Sequence, residues 1–137
     1  MGRKGGKAIE PLLRALPGST GEMRAGLLAA LRANDGYGAG HAPALSALLK
    51  DGDAALRAVG AAGLGKTGAP GALDALLAML RTEEDADAAC TALESLGGVG
   101  AGSPEAVAVL EEKAKSKDAS VRRAATGPLL ALGDLGI

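Results

Sequence analysis

Apolar residues recur along the chain at helical spacing. From Ile9 to Leu16 they follow the i, i+3, i+4, i+7 pattern of an amphipathic helix, and from Leu73 to Leu80 leucines repeat it without error. Residues 42–49 and 107–114 show the same pattern with one polar substitution each. Residues typical of strands are scarce and nowhere alternate. The pattern predicts an all-α protein.

A longer repeat lies above this helical period. Met23, Leu56, Ala88 and Val121 are separated by 33, 32 and 33 residues. Eight residues after each comes a leucine, and three residues before each comes a side chain suited to capping a helix N-terminus. These leucines are Leu31, Leu64, Leu96 and Leu129, and the capping residues are Thr20, Asp53, Asp85 and Asp118. The chain therefore contains four similar units.

Each unit is predicted to hold a first helix, a short turn and a second helix. The eight helices are expected near 7–16, 20–33, 41–50, 53–64, 70–81, 85–97, 103–115 and 118–132. Glycine-rich punctuation is expected to end the second helices, at Asn34-Asp35-Gly36, Gly65 to Gly68, Gly97-Gly98 and Gly133. One helix pair cannot bury its apolar stripe alone, so neighbouring pairs must stack. The prediction is a single domain over 1–137 with repeats at approximately 7–35, 41–68, 70–100 and 103–137.

Composition supports stacked helices and excludes several classes of protein. With one Tyr and no Phe or Trp, the core must be built from Leu, Ala and Val. A net charge of −1 without clustered basic residues argues against nucleic-acid binding. The single cysteine excludes an internal disulfide, and no apolar run approaches the ~20 residues of a membrane helix. Without a signal peptide pattern either, a cytoplasmic location is expected.

The repeated runs resemble a known family. Asp53 to Gly65 and Asp118 to Gly133 look like HEAT-like repeats, closest to the short bacterial and archaeal kind first grouped with phycobilisome lyase subunits. The resemblance covers nearly the whole chain. It implies a right-handed α-solenoid (superhelix) of about four helix-pair repeats, with first helices outside and second helices lining a concave face that receives protein partners. By that resemblance the expected partner contacts are Arg24, Arg57, Asp87, Arg122 and Arg123.

The chain departs from the family pattern at three places. Ala89 stands where the third unit would carry arginine, so Asp85 lacks the usual partner. Pro128 follows Gly127 inside the last helix and is expected to kink it. The sequence stops at Leu135-Gly136-Ile137, where another first helix would begin. This end predicts self-association, cover by a partner, or continuation of the array.

One segment matches the phosphate-binding loop pattern GxxxxGK[ST]. It runs from Gly60 to Thr67. That chemistry requires a strand before the loop and a helix after it, so that free amides converge on the phosphates. Here the preceding residues, Asp53 to Val59, belong to a predicted helix, and Gly60 is expected to pack its backbone closely within that helix. The match is interpreted as a coincidence, and nucleotide binding is kept as a remote alternative.

Two Asp-x-x-x-Arg pairs place opposite charges one helical turn apart. They are Asp53 with Arg57 and Asp118 with Arg122. In one interpretation the arginines grip an acidic partner. In the other the aspartates cap helices while the arginines pair with them or with the neighbouring repeat.

The remaining chemically versatile residues stand apart from one another. His41 is the only histidine, whereas diiron hydroxylases built on HEAT-like repeats carry several His-Glu pairs. Cys90 has no evident base and is interpreted as a buried structural thiol. The acidic run of residues 83–87 either favours a helix N-terminus or binds a cation or basic partner. Tyr37, in a glycine loop, is expected either to contact a partner or to fold over the first two units.

These observations favour a non-enzymatic scaffold that binds another protein. No catalytic residue, cofactor or metal ligand is predicted. The predicted partner-binding residues are Arg24, Arg57, Asp87, Arg122, Arg123 and Tyr37. An enzyme-associated module similar to phycobilin lyase subunits remains the alternative, although missing aromatics argue against a pigment pocket.

Overall fold

The computed structural model describes residues 4–33, 37–67, 71–99 and 103–136. Those ranges contain eight α-helices, two single-turn 3₁₀ helices and no strand. The α-helices are α1 Lys4–Ala15, α2 Gly21–Ala33, α3 Ala42–Leu48, α4 Ala54–Thr67, α5 Ala72–Thr82, α6 Ala86–Val99, α7 Pro104–Lys113 and α8 Ala119–Gly136. The 3₁₀ helices span Leu16–Gly18 and Ala39–His41. The all-α prediction is confirmed, with each predicted helix found near its expected position.

The helices form two layers. The second helices of successive units pack in the order α2, α4, α6 and α8, and together they make the second-helix face. Each first helix packs on the second helix of its own unit, and α3, α5 and α7 also contact one another in sequence. The protein is therefore a helical solenoid, as the repeat period predicts, in which each unit contacts its neighbours along the chain.

Leucine and alanine fill the space between the layers. The repeat leucines Leu31, Leu64 and Leu96 are fully buried, and the fourth, Leu129, is partly buried. Small core residues such as Ala61, Ala88 and Ala92 are also fully buried. Small side chains let the helix backbones approach closely, which is how a chain with a single aromatic ring still forms a continuous core.

Three aspartates cap second helices as their spacing predicts. The Oδ1 atom of Asp53 accepts the amide of Ala55 at 2.9 Å, and that of Asp85 accepts the amide of Ala88 at 2.9 Å. Asp118 accepts the amide of Ser120 at 2.8 Å. Each bond satisfies a backbone donor that the first helical turn would leave without a partner.

Several glycines lie inside helices instead of ending them, which corrects the predicted helix ends. Helix α4 continues through Gly65 to Thr67, and α6 continues through Gly97 and Gly98 to Val99. A Cβ atom on Gly65 would lie 2.8 Å from the Ser95 Cβ atom, so this glycine permits a close helix crossing. Gly133 also lies within α8, whereas residues 34–36 and Gly68 lie outside the described residues.

Helix α8 runs through Pro128 as one assigned helix, from Ala119 to Gly136. The helix therefore does not end at this proline, and the kink expected there stays a prediction. The nearest atoms to a Cβ added on Gly97 belong to the Pro128 ring, at 3.4 Å and beyond. The ring therefore packs on α6 at a glycine, in ordinary van der Waals contact.

Candidate partner-binding surfaces

A shallow groove crosses three consecutive helices of the second-helix face. Its volume is about 310 Å³, and we name it the second-helix groove. Its lining combines small residues with charged ones. The lining residues are Arg32, Ala62, Gly65, Lys66, Thr91, Glu94 and Ser95.

Arg24 is tied to the next repeat. Its Nη1 atom lies 2.9 Å from the Oδ2 atom of Asp53, which joins the second helix of the first unit to the start of the second helix of the next. Its Nε atom donates to the Ser19 hydroxyl at 3.4 Å. Both side chains of the ion pair are partly exposed, so the pair aligns the two units more than it stabilises them.

Arg57 makes a two-pronged ion pair with Glu83. Its Nε and Nη2 atoms lie 2.7 and 2.9 Å from the two carboxylate oxygens, and its Nη1 atom donates to the Asp51 carbonyl at 2.8 Å. The Glu83 side chain is 2% exposed and also accepts the amide of Asp85. Hydrogen bonding from Arg57 holds the pKa of Glu83 below its ordinary value, and bonding to Glu83 raises the pKa of Arg57.

The arginines at this repeat position therefore pair between units. The partner of Arg57 is Glu83 at the start of the next second helix, and Asp53 receives Arg24 from the preceding unit. Of the two Asp-x-x-x-Arg pairs, Asp53 with Arg57 thus combines a capping aspartate with an arginine that binds the neighbouring repeat, and contact of these arginines with an acidic partner stays a prediction.

The third and fourth units differ. Ala89 occupies the arginine position of the third unit and is buried, so no ion pair of this kind leaves α6 in the described part of the chain. In the fourth unit Arg122 donates to the carbonyls of Ser116 and Lys117 at 2.7 and 3.0 Å. Arg122 thus holds the turn before its own helix.

Asp87 and Arg123 are exposed on α6 and α8. Neither side chain forms an ion pair within the described ranges. Both remain predicted partner contacts. Glu94, which the sequence analysis missed, lines the second-helix groove and is a further candidate. Glu94 lies two turns beyond Asp87 on α6, so the helical period places both carboxylates on the same face, and this was the sequence signal for Glu94.

Tyr37 is placed inside the protein, which corrects its prediction as a contact residue. The residue is 8% exposed, and its hydroxyl donates to the Leu31 carbonyl at 2.6 Å. Burial raises the pKa of Tyr37 to about 12. Of the two alternatives, the ring folds over the first two units, where the Lys66 ammonium lies 5.6 Å from its centroid.

His41 and Cys90 have the contacts of residues that support the fold and not of a reactive site. The Nδ1 atom of His41 accepts the Gly38 amide at 3.0 Å, just before α3 begins. Cys90 is partly buried on α6, less than the full burial expected, and burial together with Glu94 and other nearby carboxylates raises its pKa. A raised pKa leaves less thiolate at neutral pH, which is unfavourable for a nucleophile.

The phosphate-loop match is entirely helical. Residues 60–67 form the later turns of α4, so their amides bond within the helix and cannot converge on a phosphate. The Lys66 ammonium donates to the Arg32 carbonyl at 3.1 Å, and the Thr67 hydroxyl donates to the Leu64 carbonyl at 2.9 Å. Both side chains thus contribute to helix ends and packing.

A larger groove, missed from the sequence, lies between α3 and α5. Its volume is about 730 Å³, and we name it the first-helix groove. Its lining residues are Ser46, Leu49, Lys50, Asp51, Arg57, Asp74, Ala75, Ala78, Met79, Thr82, Glu83 and Glu84. The sequence signal was the early end of α3, since Asp51-Gly52 directly follows its short apolar pattern.

The described residues contain neither a candidate metal site nor a candidate membrane helix. No group of three or more His, Cys, Asp or Glu side chains in those residues is arranged to hold a metal ion. Across the same residues, no helix combines the length and apolarity needed to cross a membrane.

Comparisons with known proteins agree with the repeat architecture. The family described as HEAT repeats matches residues 9–97. The structure of human deoxyhypusine hydroxylase in complex with glycerol is similar, with a TM-score of 0.67 and 26% sequence identity. That similarity covers 92% of this chain but only 43% of the hydroxylase chain. No curated protein gave a significant match. Since the family match spans well over half of the 137 residues, the chain belongs to the HEAT repeat family.

Proposed function

We propose that the protein is a non-enzymatic scaffold that binds another protein along its second-helix face. The observation that carries this proposal is the second-helix groove, which crosses α2, α4 and α6 without interruption. HEAT solenoids use the corresponding layer as an extended binding surface.

The lining of the groove suits the close approach of a partner segment. Ala62, Gly65 and Ser95 are small, so a helix or extended strand can lie near the α4 and α6 backbones. Arg32 of α2 and Lys66 of α4 contribute positive charge to the lining, and Glu94 of α6 contributes negative charge. Charges of opposite sign across a groove favour one orientation of a bound segment over its reverse.

The intramolecular ion pairs change which predicted residues face the partner. Arg24 and Arg57 bind neighbouring units, and Arg122 binds its own turn, so these three set the spacing of the helices. Asp87 and Arg123 are exposed and form no ion pair in the described residues, and the same holds for Arg32 and Glu94 of the groove, so these charges can meet a partner. In this proposal Arg24, Arg57 and Arg122 hold the second helices in position, and the other charges determine which partner binds.

A hydroxylase activity like that of the structural neighbour has less support. This chain spans 43% of that protein and contains one histidine, His41, whose Nδ1 atom accepts a backbone amide. No cluster of candidate metal ligands exists among the described residues. A protein-binding function requires only the folded surface, so it is the function that this site supports best.

Site-specific photo-crosslinking in a lysate of the source organism tests the proposal. A crosslinkable residue replaces Ala62 in the second-helix groove, and a matched chain carries it at Ala108, which is exposed on α7 in the other layer. We expect a discrete protein adduct from position 62, lost when Glu94→Lys is added, and none from position 108. Adducts of equal yield from both positions, or none from position 62 in a folded chain, would overturn the proposal.

A further inference from the structure

We propose that the first-helix groove is a second docking site, which takes a basic amphipathic helix of a partner protein. It lies between α3 and α5, in the other layer from the second-helix groove, and does not depend on the function proposed above. A scaffold with both sites would hold two segments at once.

The groove exists because α3 is short. Helix α3 spans seven residues and α5 spans eleven, so α5 extends about 6 Å further. After Leu48 the chain leaves the helix through tight turns, in which the amides of Lys50 and Asp51 donate to carbonyls three residues earlier. The later turns of α5 are left without a helix beside them, which opens a volume of about 730 Å³.

Apolar side chains form the floor. Leu49 from the α3 side and Met79 from α5 are buried beneath the groove, while Ala75 is partly exposed and Ala78 is exposed along it. Arg57 and Glu83 also line the groove, but their charged groups already bond to each other. A ligand therefore gains most by placing aliphatic side chains against Ala75 and Ala78.

The rim carries excess negative charge. Four carboxylates, from Asp51, Asp74, Glu83 and Glu84, face the cations of Lys50 and Arg57. Glu83 is neutralised by Arg57, and Asp51 accepts the amide of Asp53. Asp74 and Glu84 are exposed and form no ion pair in the described parts of the chain. These two carboxylates flank the open part of α5 at its two ends.

This arrangement selects a particular occupant. Asp74 lies in the first turn of α5 and Glu84 lies two residues beyond its end, so about 12 Å of helix separates them. A partner helix of two to three turns spans that distance, with leucine-like side chains on the alanines and a lysine or arginine near each carboxylate. A smaller groove of about 270 Å³, between the turn after α5 and the turn after α7, is lined mostly by charged residues and does not match such a helix.

Designed peptides test the proposal directly. The probe is a labelled helical peptide with leucines at i, i+4 and i+7 flanked by lysines, and its controls are a glutamate-for-lysine version and a scrambled version. We expect saturable binding of the lysine peptide by fluorescence anisotropy, weakened by salt, with neither control peptide bound comparably.

Variants of the full chain locate the binding. Ala78→Lys fills the floor and reduces the excess negative charge of the groove, and we expect affinity to fall at least about tenfold. The matched control Ala108→Lys, on an exposed alanine of α7, should leave binding unchanged, as should Ala62→Arg in the second-helix groove. The double variant Asp74→Asn, Glu84→Gln should weaken binding and flatten its salt dependence.

Three results would overturn this inference. One is binding of the lysine peptide that Ala78→Lys leaves intact, and another is equal binding of the glutamate peptide. The third is self-association of the chain that Ala78→Lys disperses, measured by sedimentation, because the groove would then hold a second copy.

Discussion

Glycine has two roles in this sequence, and a one-letter pattern does not separate them. Gly60 was expected to pack closely, and it does, since a Cβ atom there would lie 2.8 Å from the Leu45 carbonyl oxygen. The sequence predicts that Gly65 ends α4, but the helix continues to Thr67, and Gly65 lies where Ser95 of α6 crosses closely. Gly60 lies in the middle of α4 and Gly65 two residues before its end, yet both lie where another helix approaches closely.

Replacing Gly60 by alanine should destabilise the protein. The added methyl group would lie 2.8 and 2.9 Å from the Leu45 carbonyl and the Leu48 Cβ atom, so α3 must shift. We expect a loss of about 1–3 kcal/mol in the free energy of unfolding, measured by urea denaturation. In the matched control Gly26→Ala on α2, the methyl group meets nothing within 4 Å, and a gain of about 0.5–1 kcal/mol is expected. Equal effects at the two positions would refute the close-approach explanation.

Tyr37 provides an internal probe of the junction between the first two units. Because burial raises its pKa to about 12, the folded state favours the neutral phenol, and the associated stability is lost as pH rises from the ordinary value of 10.0 toward 12. The chain has one tyrosine and no tryptophan, so tyrosinate absorbance reports Tyr37 alone. In the folded chain that absorbance should titrate near pH 12. Tyr37→Phe should cost about 1 kcal/mol in urea unfolding through loss of the bond to the Leu31 carbonyl. Ionisation near pH 10 in folded protein would show that the ring is exposed.

At the scale of the elements, ion pairs join successive repeats. The sequence indicates both charges of each Asp-x-x-x-Arg pair, but it does not show which acid an arginine binds, because a long side chain at a helix start reaches either its own turn or the next unit. Arg57 binds Glu83 of the following unit, and Glu83 lies in the acidic run that the sequence left open between two roles. One carboxylate of that run thus has an intramolecular partner.

Glu83→Gln should remove a stabilisation that depends on pH. The folded pKa of Glu83 is lowered, so the ion pair stabilises the protein above the ordinary value of 4.5 and loses that contribution as pH falls through the folded value. Urea midpoints measured from about pH 7 to about pH 3 should show the variant below wild type at neutral pH, with the difference narrowing in acid. The exposed control Glu111→Gln on α7 should follow wild type throughout. A difference that stays constant across this range would mean that Glu83 is not held ionised by Arg57.

At the scale of the whole molecule, the 32–33-residue period was enough to predict the fold. Repeating leucines and capping aspartates specify helix pairs, and pairs that cannot bury their apolar faces alone must stack. The grooves could not be predicted in the same way. Each depends on the relative lengths of neighbouring helices and on which charged side chains form ion pairs with the next unit. The early end of α3 opens the first-helix groove, and that end is set by only a few residues.

The units should also differ in local stability. Helix α2 buries one side chain, Leu31, whereas α4 buries eight of its fourteen residues. In a linear array each unit is stabilised only by its neighbours, so α2 should open without the rest of the protein. We expect native-state hydrogen exchange of α2 amides to be at least about tenfold faster than that of α4 amides, because local opening requires only part of the global unfolding free energy.

Tyr37→Phe should speed exchange in α2 more than in α6, since the Tyr37 hydroxyl binds the Leu31 carbonyl of α2. Uniform protection of α2 and α4 would show instead that the four units unfold as one cooperative block.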